Sequence, residues 1–276
     1  MTQNKSLDVE TSVNQLDPLW AQMISEAEEL VAGEPALASF VYSTVLSHRH
    51  LENAILHRLV QRLEHPDVDA CSLMGVFKDV LDKSPELSGI FRADLAAVYD
   101  RDPVCSRVIE PLLYFKGFHG LQTHRIAHRL WNAGRKDFAF YLQSQSSKVF
   151  GMDIHPATRI GQGIMIDHAT GIVFGETAVV GDNCSILQDV TLGGSGKETG
   201  DRHPKIGSGV MIGAGAKVLG NIKIGDCCRI AAGSVVLKDV PACKTLAGIP
   251  AKIVGDAGCE EPSRFMDQNT GIPCDC

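Results

Sequence analysis

Two histidine-containing segments in the second half of the chain carry residue types suited to acid–base chemistry. In the first, DHATG, His168 follows Asp167, and Asp153 lies 15 residues before His168. A carboxylate that accepts a hydrogen bond from one ring nitrogen fixes the tautomer and leaves the other nitrogen as a base near neutral pH. A chain that coils with a period of about 18 residues returns His168 close to Asp153. The spacing therefore predicts a His–Asp pair, with a histidine bonded to backbone at an irregular corner as the alternative.

The second segment, DRHPK, places Arg202, His203 and Lys205 within four residues. An arginine can hold a carboxylate through two parallel hydrogen bonds, so the segment is a candidate carboxylate site, and a solvated basic loop is the alternative. The preceding GGSGK resembles a phosphate-binding loop but lacks the GxxxxGK[ST] pattern. Its bare backbone is better suited to the close approach of a thioester.

The elements that position both segments are indicated by a six-residue period. Aliphatic or aromatic residues recur every six positions from Ile154 to Val236, usually followed by glycine. This period is typical of parallel β-helices, whereas an α-helix repeats every 3.6 residues and an ordinary strand every 2. Thirteen units, at three units per coil, predict slightly more than four coils. The thirteen residues are Ile154, Ile160, Ile166, Phe174, Val180, Ile186, Leu192, Ile206, Ile212, Val218, Ile224, Ile230 and Val236.

The period is interrupted in two places, and these are the places that hold the two histidine segments. The step from Ile166 to Phe174 takes eight residues, and the step from Leu192 to Ile206 takes fourteen. Extra residues must leave a solenoid as a bulge or loop, and functional groups concentrate in loops on rigid scaffolds. We therefore expect the functional site at these two interruptions.

The composition divides the chain into two halves and a tail. Fourteen of the sixteen aromatic residues lie before position 151, and 21 of the 27 glycines lie at or after it. We predict an α+β protein with an all-helical domain at 1–150, a left-handed parallel β-helix at 151–255 and a flexible tail at 256–276. Within the first domain, apolar periodicity predicts helices from Pro18 to Gly33, from Pro35 through Val45, and near 51–63, 72–83, 86–99, 104–116 and 121–147, with Gly134 as a break in the last stretch.

Charge and cysteine content exclude several classes of protein. The net charge is −7 and no basic tract is present, which argues against nucleic acid as the main partner. No apolar run approaches the roughly 20 residues of a membrane span. The polar N-terminus is unlike a leader peptide and predicts a cytoplasmic protein. Nine cysteines without a CxxC pair predict reduced, mostly structural thiols.

Specific segments in both halves resemble one enzyme family. DIHPATRIGQGIMIDHATGIVFGETAVVG and VTLGGSGKETGDRHPKIGSGVMIGAGAKVLGNIKIG closely resemble the serine O-acetyltransferases, and EPALASFVYSTVLSHRHLENAILHRL and YFKGFHGLQTHRIAHRLW extend the resemblance into the helical half. It implies transfer of the acetyl group of acetyl-CoA to the hydroxyl of L-serine. The products are O-acetyl-L-serine and CoA, the reaction opens cysteine biosynthesis, and no metal is implied.

The resemblance also implies roles for individual residues. His168 is the general base and Asp153 its orienting partner, while Arg202 and His203 hold the carboxylate of serine. Asp102 and Asp167 meet its ammonium group, although Asp102 before Pro103 is by its local pattern equally a helix N-cap. Acetyl-CoA lies in a groove between neighbouring subunits. The residues implied for acetyl-CoA are Gly194, Ser195, Ala214, Ala232 and Lys252.

Partners follow from the same resemblance. It implies homotrimers formed through the β-helix, paired into hexamers by the helical half, and inhibition by L-cysteine at the serine site. The C-terminal tail of the family docks into O-acetylserine sulfhydrylase through a terminal isoleucine. This chain departs from that pattern because it ends in Cys276, with Ile272 the nearest isoleucine.

Three other functions remain open from the residues. A sugar or antibiotic O-acetyltransferase uses the same repeat, although the pair Arg202/His203 with Asp102 suits a zwitterion better than a neutral sugar. A metal hydrolyase akin to γ-type carbonic anhydrases needs three histidines that converge between subunits, and His155, His168 and His203 are the candidates. A non-enzymatic regulatory scaffold is the third.

Overall fold

The computed structural model describes residues 17–196, 199–258 and 261–266. From residue 17 to residue 150 the chain is helical, and its helices pack around an apolar core that continues into the second half. The helices of this half are α1 (Pro18–Gly33), α2 (Ala38–Val41), α3 (Leu51–Leu63), α4 (Ala70–Lys83), α5 (Leu87–Arg101), α6 (Ile109–Tyr114), α7 (Lys116–Asn132) and α8 (Lys136–Phe150), with a 3-10 turn at Pro35–Leu37 and a π-helical turn at Tyr42–Leu46.

Local sequence signals explain where several of these helices begin and end. The Asp17 side chain accepts a hydrogen bond from Trp20 N–H at 3.2 Å, and Pro18 occupies the first turn of α1 as predicted. The helical stretch predicted over 121–147 is interrupted at Gly134, as the sequence indicates. It forms two helices, α7 and α8, because Gly134 adopts φ 79° between them.

Beyond Phe150 the chain forms a β-helix with three flat faces. Its strands are β1 (Met152–Ile154), β2 (Arg159–Ile160), β3 (Met165–Ile166), β4 (Ile172–Phe174), β5 (Val179–Val180), β6 (Ser185–Ile186), β7 (Thr191–Gly193), β8 (Lys205–Ile206), β9 (Met211–Ile212), β10 (Lys217–Leu219), β11 (Lys223–Ile224), β12 (Arg229–Ile230), β13 (Val235–Val236), β14 (Lys244–Gly248) and β15 (Ala251–Asp256). Strands β1, β4, β7, β10 and β13 stack as the first face, β2, β5, β8 and β11 as the second, and β3, β6, β9, β12 and β14 as the third. Pairing within each face is parallel, and β15 is added antiparallel to β14.

The predicted fold class is confirmed: the protein is α+β, with a helical region followed by a left-handed parallel β-helix. The predicted number of coils is too small, because the first and third faces each hold five stacked parallel strands. The six-residue count misses the last coil because Val240 follows Val236 by four residues and resumes the repeat out of phase. Val240 still pairs with Ile224 of the second face.

Helix α7 lies directly on the first coils of the β-helix. A Cβ atom at Gly117 would lie 2.0 Å from the carbonyl oxygen of Ile166, and one at Gly120 would lie 2.2 Å from Sδ of Met152. Glycine is therefore required at Gly117, where the neighbour is backbone, whereas at Gly120 the neighbour is the side chain of Met152. The contact fixes the helical half against β3, immediately before the first interruption of the period.

The chain segment that follows β15 packs back on the body of the protein. A short helix, α9 (Pro262–Phe265), lies near the third face, where Ser185 Oγ donates to the carbonyl of Ser263 at 2.7 Å. Arg264 pairs with Asp100 of α5 at 3.1 Å. The sequence predicts a flexible tail over 256–276, and these described residues of it are in contact with the body. Residues 259–260 and 267–276, which include Ile272 and Cys276, lie outside the described residues.

Across the described ranges no helix is both long enough and apolar enough to cross a membrane. The described cysteines are free thiols. Burial raises the pKa of Cys184 to about 12, which suits a thiol that fills space in the core of the β-helix.

Candidate active site

The first interruption of the period forms a tight corner between β3 and β4. His168 and Ala169 have φ values of 55° and 61°, in the left-handed region that residues other than glycine rarely adopt. Backbone hydrogen bonds from Ala169 N–H to Asp167 O at 2.6 Å and from Thr170 N–H to His168 O at 2.7 Å hold the turn. Strained backbone of this kind concentrates at functional sites. The corner presents the His168 side chain to solvent, with 71% of it exposed.

A cavity of about 560 Å³ lies between this corner and the helical half, and Asp102, Asp167 and His168 all line it. Asp167 Oδ2 is 3.4 Å from Nε2 of His168. Burial raises the pKa of Asp167; His168 opposes the rise, and the nearby carboxylate of Asp102 adds to it. A cation beside these two carboxyl groups would favour the charged form of Asp167. The corner is therefore suited to an ammonium group next to a base.

Asp102 follows the last residue of α5 and is not a helix N-cap, since the next helix begins only at Ile109. Its Oδ1 accepts a hydrogen bond from Val104 N–H at 2.9 Å, which orients the carboxyl group at the edge of the cavity. The capping alternative left open by the sequence is thus removed, and the cavity position stands.

The second interruption places His203 in a buried setting that fixes its tautomer. Thr177 N–H donates to Nδ1 of His203 at 3.2 Å, and the hydroxyl of Thr177 lies 2.8 Å from the same nitrogen. Since Nδ1 accepts, the proton of the neutral ring is on Nε2. Burial lowers the pKa of His203, and the charges of Arg202 and Lys205 lower it further, so the ring is neutral at pH 7. His203 is thereby a hydrogen-bond donor through Nε2.

Arg202 lies beside His203 and is held by two neighbours. Its guanidinium Nη2 pairs with Oε2 of Glu176 at 2.9 Å, and its backbone N–H donates to the Thr177 hydroxyl at 3.0 Å. The His203 backbone N–H donates to the same hydroxyl at 3.1 Å. Thr177 thus anchors both residues. The sequence pattern does not single out Thr177 and Glu176, because in GETAVVG they occupy ordinary corner positions of the repeat.

Asp153 lies away from the His168 corner in this chain. Its Oδ1 accepts a hydrogen bond from Nε2 of Gln143 at 2.6 Å, and among the described residues no contact joins it to His168. The reason is the coil length. Asp153 is in register with Val173, so the first coil takes 20 residues where the spacing argument assumed about 18, and His168 falls five residues short of the position over Asp153.

Asp153 instead belongs to the surroundings of His155. Burial lowers the pKa of His155, and the charges of Glu176, Arg202 and Asp153 all reach the ring. The ring also makes an edge contact with Trp131, with centroids 5.0 Å apart. His155 is therefore a packed corner residue of the β-helix.

The candidate residues form two clusters at opposite corners of the first face. The cluster of Asp102, Asp167 and His168 precedes β4, whereas Arg202 and His203 pack against residues that follow it. The three residues of β4 alone span roughly 10 Å. One chain therefore presents the base and the arginine on different corners.

The residues implied for acetyl-CoA divide between the same two corners. Ala214 and Ala232 stack above the His168 corner, where the N–H of the residue after Ala232 donates to the carbonyl of Ala214 at 2.7 Å. Gly194 follows β7 at the other corner, and a Cβ there would lie 3.4 Å from Nε2 of His203. Ser195 is next to Gly194, and Lys252 is exposed on β15.

Within the ranges that the structure describes, no group of three or more His, Cys, Asp or Glu side chains is arranged to hold a metal ion. His155 and His203 instead make the packing and hydrogen-bonding contacts given above.

Gly175 leaves the space in which the His203 ring sits, and its replacement is a direct check on that packing. A Cβ at Gly175 would lie 1.9 Å from Nε2 and 2.1 Å from Cδ2 of His203. We expect Gly175→Ala to destabilise the fold by about 1–3 kcal/mol through overpacking, seen as a lower Tm in calorimetry. Gly75→Ala is the matched control because its Cβ meets nothing within 4 Å in α4. Equal Tm values for Gly175→Ala and the wild type would show that the ring is not confined there.

Comparison with known proteins gives matches over both halves of the chain. Residues 19–123 match the family described as "Serine acetyltransferase, N-terminal", and residues 203–238 match "Bacterial transferase hexapeptide (six repeats)". The chain is 51% identical over 255 residues to a serine acetyltransferase of Salmonella typhimurium, which covers 92% of this chain and 93% of that protein.

Solved structures give the same picture. A serine acetyltransferase of Brucella abortus in complex with coenzyme A is 58% identical, with a TM-score of 0.88 over 90% of this chain and 99% of that one. A serine acetyltransferase in complex with cysteine is 50% identical, with a TM-score of 0.89 over 91% and 98% of the two chains. The similarity therefore extends over most of the chain, in both the helical half and the β-helix.

Proposed function

This chain belongs to the serine acetyltransferase family, and from that premise we propose that it transfers the acetyl group of acetyl-CoA to the hydroxyl of L-serine. The products are O-acetyl-L-serine and CoA, and the reaction is the first step of cysteine biosynthesis. One observation carries the proposal. Two carboxyl groups and an exposed histidine occupy one corner of the first face, and an arginine beside a neutral histidine donor occupies the other.

These two clusters match the three polar groups of serine. The ammonium group is attracted to Asp102 and Asp167, whose mutual repulsion it relieves. The carboxylate is held by Arg202 and by Nε2–H of His203. The hydroxyl is then left facing His168, the remaining group at the first corner. A neutral sugar would leave both charged subsites without partners, which costs binding free energy.

In the proposed mechanism His168 acts as the general base. It removes the hydroxyl proton of serine as the oxygen attacks the thioester carbonyl carbon of acetyl-CoA. The resulting tetrahedral intermediate collapses with cleavage of the C–S bond, and the imidazolium returns the proton to the departing thiolate of CoA. A backbone N–H near Gly194 stabilises the negative oxygen of the intermediate.

We propose that the site is assembled between subunits of a homotrimer. The two clusters are on opposite corners of one face, so a neighbouring copy is needed to bring Arg202 and His203 against His168. Residues 151–255 would form the trimer, residues 1–150 would pair trimers into hexamers, and residues 256–276 would be the tail. Asp153 would then orient His168 across the interface, since within one chain it belongs to the arginine side.

Acetyl-CoA would occupy the groove between the same two subunits. Gly194 and Ser195 line it from the loop side, and Ala214 and Ala232 from the column above His168. Small residues allow the pantetheine arm to contact backbone, and Lys252 meets the charged end. The relative from Brucella abortus that was solved with coenzyme A supports a CoA site in this family.

L-Cysteine is the proposed inhibitor, and it would compete with serine. It carries the same ammonium and carboxylate groups, so both clusters would bind it, with the thiol facing His168. A relative was solved with cysteine bound, which supports the proposal.

A cytoplasmic location is also proposed for the protein, since reduced thiols suit that compartment. Docking to O-acetylserine sulfhydrylase falls on tail residues outside the described ranges and stays a prediction.

An acyl-acceptor screen tests this function. Release of CoA from acetyl-CoA is measured with L-serine, with D-serine, and with a panel of hydroxylated sugars at equal concentration. We expect turnover with L-serine that L-cysteine suppresses competitively. Turnover with a sugar but not with L-serine would overturn the proposal. Stoichiometric zinc in active protein, with loss of activity on chelation, would favour the metal hydrolyase instead.

A further inference from the structure

A basic groove lies on the second face of the β-helix and has no lining residue in common with the two clusters of the serine site. It has a volume of about 380 Å³ and is bordered by α5 and α7 on one side and by β2 and β5 on the other. Its ionisable lining residues within the described part of the chain are all basic. They are His124, Arg125, His128, Arg129 and Arg159. In a chain of net charge −7 such a concentration of positive charge requires an explanation.

Part of this charge is neutralised within the protein. Arg125 is buried and forms two hydrogen bonds to the buried carboxylate of Asp94, at 2.6 and 2.9 Å. Arg129 pairs with Glu86 at 3.0 Å, but that carboxylate is half-exposed at the rim. Arg125 is thus a structural residue, and Arg129 keeps capacity for a second partner.

The remaining charge is not neutralised by the residues that the structure describes. Nε of Arg129 is buried there without a hydrogen-bond partner, and Arg159 is exposed without an ion pair. Asp201 lies close enough for Arg159 to lower its pKa, but Lys205 already binds that carboxylate at 2.6 Å. The exposed guanidinium of Arg159 and the 30% exposed side chain of Arg129 are therefore the groups that an anion in the groove can contact.

The lowered pKa of His128 reflects the same positive charge. Burial lowers the pKa of His128, and the charges of Arg129, Arg125 and Arg159 lower it further, against a hydrogen bond to the carbonyl of Pro156. Three arginines from two elements thus act on one ring. An anion in the groove would relieve this repulsion.

The remaining lining of the groove is apolar and forms its aliphatic wall. Leu87 and Ile90 of α5 contribute to this wall on one side, and Val179 and Val180 of β5 on the other. The volume is near the lower end of the range for small-molecule sites, which excludes a large ligand. The groove therefore combines two arginines with an aliphatic wall in a space for a small molecule.

We propose that this groove is a binding site for a small oxyanion of charge two, a phosphate or sulfate group, held between Arg129 and Arg159. The shared chemistry is a group that accepts several charge-assisted hydrogen bonds from guanidinium. Such an oxyanion can come from two sources: the free inorganic ion, or the phosphate of a small organic molecule whose apolar part contacts the aliphatic wall. The site shares no residue with the serine site, so it stands independently of the proposed function.

Calorimetric titration of the full chain tests the proposal. Sodium sulfate, sodium phosphate and phenyl phosphate are titrated at constant ionic strength, with sodium chloride as the reference. We expect saturable binding of the divalent ions and none of chloride. Tighter binding of phenyl phosphate than of inorganic phosphate assigns the organic source, and equal or weaker binding assigns the inorganic ion. No saturable binding of any of the three overturns the proposal.

Variants locate the site. Arg159→Gln and Arg129→Gln are each expected to weaken binding by at least about tenfold, since each removes charge-assisted hydrogen bonds. Arg49→Gln, an exposed arginine outside the groove, is the charge-matched control and is expected to bind as the wild type does. A crystal soaked in sodium selenate is expected to show an anomalous peak between Arg129 and Arg159. Wild-type affinity in both groove variants, or a selenate peak only elsewhere, contradicts the assignment.

Discussion

Replacement of His168 by alanine is expected to lower kcat for acetyl transfer to serine by about 10²–10⁴-fold. The hydroxyl of serine is too weak an acid to attack a thioester at neutral pH without a base, and His168 is the exposed ring at the corner with the two carboxyl groups. KM for acetyl-CoA is expected to change little. Steady-state CoA release at saturating substrates measures both constants.

His50→Ala provides the control for this variant, since His50 is exposed outside either cluster. It is expected to keep wild-type kinetics. A His168→Ala enzyme with the kcat of the wild type would remove His168 from its role as base.

The same assay separates the two carboxylates associated with His168. Asp167→Asn is expected mainly to raise KM for serine, because Asp167 lies with Asp102 where the ammonium group binds. Asp153→Asn is expected mainly to lower kcat, because it would remove the group that orients the imidazole across the interface. The reverse pattern would assign Asp167 as the residue that orients the imidazole. Asp167 could do this within one chain, because its Oδ2 lies 3.4 Å from Nε2 of His168.

Replacement of Arg202 by glutamine is the second large expected effect. Loss of a charge-assisted pair to the serine carboxylate is expected to cost about 1.5–3 kcal/mol, or roughly 10- to 150-fold in kcat/KM for serine. KM for acetyl-CoA is expected to stay within about twofold, since the free-energy loss concerns the amino acid alone. Initial rates over a matrix of both substrates give the two values.

Arg202→Lys distinguishes charge from geometry at this position. Lysine keeps the charge but lacks the planar fork that binds a carboxylate through two bonds, so only partial recovery is expected. An exposed arginine outside the clusters, replaced in Arg49→Gln, serves as the control for charge. An unchanged kcat/KM for serine in Arg202→Gln would show that the carboxylate binds elsewhere.

The architecture of the β-helix was predictable because one physical requirement repeats. Each coil must bury one aliphatic side chain per face, and the thirteen residues of the six-residue period occupy β1 to β13, one in each strand. All are buried except Ile160, which is half-buried at the basic groove. The six-residue period does not predict the last coil, because the step from Val236 to Val240 is four residues instead of six.

The location of the site was predictable for a related reason. Residues that a coil cannot absorb must leave it, so the two interruptions marked the corners that carry His168 and Arg202. The predicted pairing of Asp153 with His168 within one chain is not observed in the structure. The extra residues lengthen that coil to place Asp153 beside Val173, and no periodic signal reveals this register.

Contacts between residues that are far apart in the chain could not be predicted from the spacing of residues in the sequence. Thr177 anchors Arg202 and His203 through its hydroxyl, yet it is an unremarkable corner residue in the repeat. The basic groove combines α7 residues with Arg159 of β2, about thirty positions further along the chain. Neither arrangement is encoded in local spacing.

The central claim is that each active site takes His168 from one subunit and Arg202 from its neighbour. The most direct test mixes two impaired variants, His168→Ala and Arg202→Gln, by co-refolding at equal amounts and assays them at a serine concentration well below the wild-type KM. Random assembly gives about one interface in four with an intact His168 and an intact Arg202, so the account predicts recovery of about one quarter of wild-type activity. Activity that stays at the mean of the two separate variants would contradict it, because both residues would then have to come from the same chain.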